Sequence, residues 1–137
     1  MKNLSFVILI FALSASSLAQ PQPRPKPVIK TGIDVLVENN FSPLTGKRVG
    51  LITNPTGVSN TLVSTVDILA RAKALKLVAL YGPEHGVRGD VAAGGHIESY
   101  TDSATGIPVY SLYGRTQKPT PEMLKGVDVL VYDIQDI

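Results

Sequence analysis

The sequence predicts an α/β domain built on a mostly parallel sheet with helices on both faces. Four short apolar runs of strand length carry much of this expectation: Arg48–Thr53, Leu77–Tyr81, Ile107–Leu112 and Val127–Tyr132. Segments with helical spacing or helix start and stop signals alternate with them, the pattern of βαβ units. Hydrophobic residues make up 44% of the chain, enough for a packed core, and charged residues 18%, low for a disordered one.

Taken in order, Met1–Ala19 has the layout of a secretory signal. Lys2 gives the positive start, Leu4–Leu13 is almost wholly apolar, and Ser17-Leu18-Ala19 places small residues at the cleavage positions. A membrane span needs about 20 apolar residues, and the serines here leave only a short core. The expectation is a cleaved signal, a secreted or periplasmic product and no stable membrane anchor. Residues 20–30 form a linker, with Pro21, Pro23, Pro25 and Pro27 alternating with polar residues in a way that favours extended polyproline geometry. The folded part is residues 31–137.

Within it, Thr31–Val37 suits a short helix ending at the turn-rich Asn39-Asn40. Arg48–Thr53 is the first strand, stopped by Asn54-Pro55-Thr56-Gly57. Ser59 or Asn60 can cap a helix over Thr61–Leu75, with Leu62, Val63, Val66, Leu69, Ala70 and Ala74 as its apolar stripe. Asp67 and Arg71 stand four apart and can pair on its outer face. Leu77–Tyr81 is the second strand, halted by Gly82-Pro83. A polar passage, Val91–Gly106, shows no periodicity. Ile107–Leu112 is the third strand. Thr120, Pro121, Glu122 and Gly126 mark a brief helix by its ends. Val127–Tyr132 is the fourth strand and leads into Asp133-Ile134-Gln135-Asp136. Four strands with so few helices make a thin doubly wound domain, which reads as the N-terminal part of a longer, here truncated, protein.

Charge and composition exclude several classes. The net charge of +2, about +1 without Lys2, does not suggest a nucleic-acid or polybasic membrane partner. The absence of cysteine excludes disulfides, thiolate metal sites and a Cys nucleophile. No G-x-G-x-x-G follows the first strand, which disfavours a dinucleotide cofactor, and there is no Walker pattern or G-x-S-x-G turn. No cofactor is expected. His85 and His96 match none of the usual metal spacings, so a metal-dependent hydrolase has weak support.

Open α/β sheets place their ligand crevice beyond the carboxyl ends of the strands. Three loops would converge there: Thr53–Gly57 after the first strand, Glu84–Gly89 after the second and Asp133–Asp136 after the fourth. Paired carboxylates across such a crevice suit glycoside hydrolysis. Glu84 is the better acid candidate, because an apolar strand end and Pro83 can desolvate it. His85 either orients Glu84 or serves as acid or base itself, and it equally suits an ordinary hydrogen-bonded loop position. Asp133 and Asp136 fit catalysis or the capping of a following helix. Tyr81, Tyr110, Tyr113 and Tyr132 fit strand or core positions better than a sugar-stacking platform.

The runs T-N-P-T-G (Thr53–Gly57), G-P-E-H-G-V-R-G (Gly82–Gly89) and V-Y-D-I-Q-D-I (Val131–Ile137) resemble, in order, the signatures of the bacterial exo-β-N-acetylmuramidase family, long catalogued as a domain of unknown function. T-G-I-D-V-L at Thr31–Leu36 also fits. The resemblance implies a Rossmann-like N-terminal domain, followed in the family by a smaller one, and removal of terminal N-acetylmuramic acid from peptidoglycan fragments. It implies Glu84 as the catalytic residue. His85, Asn54, Arg88, Asp133, Gln135 and Asp136 match the family's polar positions. The chain departs from the family in length, so a non-catalytic muropeptide-binding fragment is the alternative to a working glycosidase.

Overall fold

The computed structural model describes residues 29–89 and 98–135. The signal segment, most of the proline-rich linker, His96 and Asp136 fall outside them. The elements are α1 (Gly32–Glu38), one 3-10 turn (Ser42–Leu44), β1 (Arg48–Thr53), α2 (Thr65–Arg71), β2 (Lys76–Gly82), β3 (Tyr100–Thr101), β4 (Pro108–Ser111) and β5 (Val129–Asp133). The strands form one sheet in the order β3-β4-β2-β1-β5. β1, β2, β4 and β5 run parallel, and the short β3 pairs antiparallel with β4. Among the described residues no helix is long and apolar enough to cross a membrane.

α1 starts where the sequence places it. Thr31 Oγ1 accepts from the Asp34 backbone N–H while the Asp34 carboxylate accepts from the Thr31 N–H at 3.0 Å, a reciprocal capping pair. The helix ends at Asn39, beyond which Asn40 and Phe41 take left-handed conformations. α2 is shorter than its expected span of Thr61–Leu75. Ser59 is not its cap: Ser59 and Val63 close a loop on each other, with Leu62 at φ +62° and 80% exposed. Ser64 caps instead, accepting from Val66 N–H, and extended backbone at Ala72 ends the helix. Local side-chain hydrogen bonds from Ser59 therefore win over the apolar period that would begin at Leu62.

One sheet face packs against the helices. Val49 and Leu51 of β1, Leu77 and Leu80 of β2 and Val109 of β4 meet Ile33 of α1 and Val66 and Leu69 of α2, all buried. Leu77 and Leu80 stand three apart yet share this face. The β1–β2 register slips between Val49–Leu77 and Gly50–Ala79, leaving Val78 as an extra residue that restores the alternation. The opposite face buries Ala79, Tyr81 and Leu112 beneath Met123, Leu124 and Val127. Its cover differs from expectation, since Thr120–Gly126 is a run of turns and not a helix. Leu124 N–H donates to Thr120 O, but Lys125 donates to Glu122 O and Val127 to Leu124 O, and Gly126 at φ +87° ends the segment. The expected cap survives in part, because Thr120 Oγ1 accepts from Met123 N–H at 3.4 Å.

Tyr81 anchors this second face. Its ring stacks on Tyr110 with centroids 5.6 Å apart, and its hydroxyl donates to Met123 O at 2.7 Å. Burial pushes its phenol up to about 12. Gly50 makes room for the ring: a Cβ there would lie 2.9 Å from Tyr81 Cε2 and 2.8 Å from Leu130 Cδ2.

Arg88 ties the loop after β2 to the rest of the domain. Its Nε and Nη2 grip both oxygens of Asp102, and Nη2 reaches Asp67 Oδ1 of α2 at 2.9 Å. Asp67 thus turns to Arg88 rather than to Arg71. Asp102 is only 2% exposed and also accepts from Thr105 N–H at 3.1 Å. The Arg88 fork holds the Asp102 carboxyl below its usual range.

Gly50→Ala should destabilise the fold by about 1–3 kcal/mol, since the anchored Tyr81 ring cannot yield; urea unfolding midpoints measure this. Arg88→Met would strand a buried carboxylate and should cost on the order of 3 kcal/mol, with Asp102→Asn in the Arg88→Met background recovering part of it. A pH dependence follows as well. Asp128, held at about 2 by its hydrogen bonds from Arg48, and Asp102 both titrate below the ordinary 3.8. Depressed folded values give stabilisation that is complete above the unfolded value and is lost as pH falls through about 4 toward 2. Asp128→Asn should flatten that acid limb in denaturation curves taken across the window.

Candidate functional site

Because four strands run parallel, their carboxyl ends share one edge. β1 lies between β2 and β5, and the chain leaves β1 toward β2 but returns to its other side as β5. The winding therefore switches direction between β1 and β5, where open sheets leave a crevice. The sequence-predicted residues fall into two groups along this edge.

The first group sits at the switch. Thr53 Oγ1 donates to Asp133 O at 2.7 Å, and Thr65 Oγ1, in the first turn of α2, donates to Asp133 Oδ2. Gln135 N–H donates to Thr56 Oγ1 at 2.9 Å and its side-chain amide to Val58 O at 3.2 Å. Asn54 Oδ1 accepts from Thr56 N–H at 2.9 Å and from Thr56 Oγ1 at 2.6 Å, folding the loop after β1 into an Asx turn. Asn54, Asp133 and Gln135 are thus brought together, laced by hydroxyls of Thr53, Thr56 and Thr65. With the Asn54 carbonyl oxygen engaged in the turn, a ligand would meet its amide NH2.

The second group lies beyond β2 and β4. Gly86 N–H donates to Pro83 O at 3.0 Å, closing a tight turn that carries Glu84 and His85. His85 occupies the third position of this turn at φ +71° and is exposed. Such a conformation is uncommon for a residue with a side chain and recurs at functional sites. At the neighbouring strand end, Leu112 N–H donates to Gly82 O at 2.8 Å, which docks the end of β4 against the start of the Glu84 turn. Ser111 Oγ then holds the next residue, accepting from Tyr113 N–H at 3.2 Å. This brings the Tyr113 hydroxyl close enough to the Glu84 carboxylate for that group to raise the Tyr113 phenol above its ordinary value. The phenol stays protonated, and so a donor, at neutral pH.

Tyr113 also lines a cleft of ≈ 590 Å³, together with Glu98, Ser111, Arg115, Thr120 and Met123. This is the size range of small-ligand sites. The two groups touch where Gly89 runs against Pro55: a Cβ on Gly89, which stands at φ +75°, would lie 2.7 Å from Pro55 Cγ. Arg88, between them, has its guanidinium engaged by Asp102 and Asp67, so in this arrangement it fixes the loop. Asp136 lies outside the described residues.

The sequence favours a strand or core position for Tyr113 and gives Asp102 no role. Tyr113 instead stands past β4 in the cleft lining, at the same edge as the three loops, a position its place just after the third apolar run signals. Asp102 carries no such signal: its partner Arg88 is fourteen residues away across a passage without periodicity.

Comparison with known proteins bears on this geometry. The family described as exo-beta-N-acetylmuramidase NamZ, N-terminal, matches residues 49–137, which include both groups. A Bacillus subtilis (strain 168) protein, peptidoglycan beta-N-acetylmuramidase NamZ, is 58% identical over 128 residues, covering 93% of this chain and 31% of its own length. The chain thus spans about a third of that relative. Two crystal structures of DUF1343 family proteins from Bacteroides fragilis NCTC 9343 share the fold. One superposes with a TM-score of 0.71 at 71% identity, over 79% of this chain and 26% of its own. The other gives 0.55 at 34% identity, over 73% and 24%. With the matched region running from β1 to the end of β5, the chain belongs to the exo-beta-N-acetylmuramidase NamZ N-terminal family.

Proposed function

We propose that this chain forms the acid-bearing part of an exo-acting glycosidase that releases terminal N-acetylmuramic acid from peptidoglycan fragments outside the cytoplasm. Glu84 is the general acid. The observation that carries the reading is that Tyr113, whose phenol is perturbed by the neighbouring Glu84 carboxylate, lines a sugar-sized cleft. The name of the Bacillus subtilis relative, a peptidoglycan beta-N-acetylmuramidase, supports the substrate class.

Chemically, cleaving a glycosidic bond requires a proton on the departing oxygen as the bond to the anomeric carbon breaks. Glu84 supplies that proton and is left as a carboxylate. The Tyr113 hydroxyl donates to that carboxylate, and a hydrogen bond to a charged acceptor is stronger than one to a neutral acid. The bond therefore tightens as the proton departs and favours its delivery. It also fixes the orientation of the carboxyl group, so that proton transfer needs no search over side-chain rotamers.

Glu84→Gln should abolish turnover of a chromogenic N-acetylmuramide by the full-length protein while leaving its circular dichroism and unfolding midpoint unchanged. Retained turnover would remove Glu84 from the mechanism, and saccharide binding without turnover in the wild type would favour a binding module. Tyr113→Phe should lower kcat by roughly ten- to a hundredfold with little change in KM, the scale on which positioned proton transfer contributes. An unchanged kcat would separate Tyr113 from the acid.

A further inference from the structure

We infer that Arg115 reads the lactyl carboxylate of the muramic acid residue and thereby sets the preference for muramosides over glucosaminides. This rests on the muramidase reading above. N-acetylmuramic acid differs from N-acetylglucosamine only by an ether-linked lactyl group on O3, which ends in a carboxylate. An enzyme that distinguishes the two sugars needs a group that recognises that anion, placed within one sugar ring of the acid.

Arg115 meets both requirements. It lines the cleft together with Tyr113, whose phenol is perturbed by the neighbouring Glu84 carboxylate. Only Gly114 separates Tyr113 from Arg115, which limits their Cα atoms to about 7 Å. Arg115 thus stands next to the residue whose phenol senses the Glu84 carboxylate, on the same cleft wall. Arg48 is committed to Asp128 and Arg88 to Asp67 and Asp102, while Arg71, at the end of α2, does not line this cleft. Arg115 takes part in none of the ion pairs among the described residues.

The cleft lining also includes Glu98, so its formal charges cancel and it offers no general attraction for anions. Selection must then come from the parallel N–H donors of the guanidinium, which match the two oxygens of a carboxylate. The remaining lining groups named above, Ser111 and Thr120, are neutral hydroxyls suited to sugar hydroxyls and carry no preference for a charge.

The test compares wild type, Arg115→Gln and Arg115→Lys in the full-length protein. Each is assayed on three chromogenic glycosides: the N-acetylmuramide, its lactyl amide and the N-acetylglucosaminide. Arg115 is exposed, so neither variant should alter the unfolding midpoint. Wild type should prefer the free carboxylate. Arg115→Gln should raise KM for the muramide about ten- to a hundredfold, the worth of a charge-assisted hydrogen bond, with kcat nearly unchanged. It should also lose the preference for carboxylate over amide, and Arg115→Lys should restore part of it. An active wild type whose KM and substrate preference survive Arg115→Gln overturns the assignment. A wild type that hydrolyses no muramide overturns the muramidase reading itself, and is recognised by failure on the carboxylate substrate before any variant is compared.

Discussion

Parallel pairing on both sides of β1 is the constraint from which the rest follows. β1 hydrogen-bonds to β2 along one edge and to β5 along the other, and Val49, Leu51 and Thr53 are buried without residual exposure. Both neighbours of β1 run parallel to it and β4 runs parallel to β2, while the short β3 pairs antiparallel with β4 at the far edge. The chemistry-bearing loops consequently gather at one edge. Gly50 belongs to the same constraint. Strand propensity would favour a β-branched residue there, but Tyr81 from β2 already occupies the space beside it. Packing between adjacent strands overrides the local preference.

A gathered edge does not by itself make a precise site, because loops after strands are the least restrained part of such a fold. Two devices supply the restraint. At the switch between β1 and β5, threonine hydroxyls bind Asp133 and Gln135, so the loop after β1, the start of α2 and the end of β5 move as one body. Beyond β2, the guanidinium of Arg88 joins α2, through Asp67, to the turn at Asp102. Asp102 is almost fully buried, and a carboxylate there is tolerable only while its cation and the Thr105 donors remain in place. Moving Arg88 away with its loop would leave that carboxylate buried without its cation, a cost that keeps the loop after β2 in place. Stability is thus concentrated beside the site, where an exposed ion pair such as Lys30–Glu38 would contribute little.

The sequence made the strands legible because each is a short apolar run bounded by turn residues, and Arg48–Thr53 is observed with the expected bounds. The start of α1 was legible for a similar reason, since Thr31 and Asp34 satisfy the first backbone donors locally. α2 was overextended because its apolar spacing continues backward through Leu62 and Val63, and periodicity cannot register that Ser59 closes a loop on Val63 first. The two residues of β3 are too few to show alternation, and their pairing with β4 is decided by tertiary contact. For the site, the residues after the strands were readable as a set, but their partners were not. Nothing local distinguishes Arg88 as the holder of Asp102 from Arg115 as part of the cleft lining; only the fold separates them.

The separation between holding and contacting explains the order of residues in G-P-E-H-G-V-R-G. Glu84 and His85 come first, on a turn whose backbone is forced into a left-handed conformation at His85. Val87 follows, buried in the core with Val66 and Leu69, and Arg88 after it grips the two aspartates. The anchor is therefore C-terminal to the acid and within one loop's length of it. Strain at His85 needs such an anchor, since a left-handed residue with a side chain persists only where its surroundings over-determine it. Tyr113 meets the same turn from the opposite side, delivered by the Leu112–Gly82 backbone bond. Glu84 is thus held between a buried apolar and ionic anchor behind it and a phenol hydroxyl in front. Tyr113 lines the cleft while the Arg88 guanidinium is engaged by Asp67 and Asp102, so the polar network that fixes the loop can be rigid while the group beside the acid stays able to respond as charge develops.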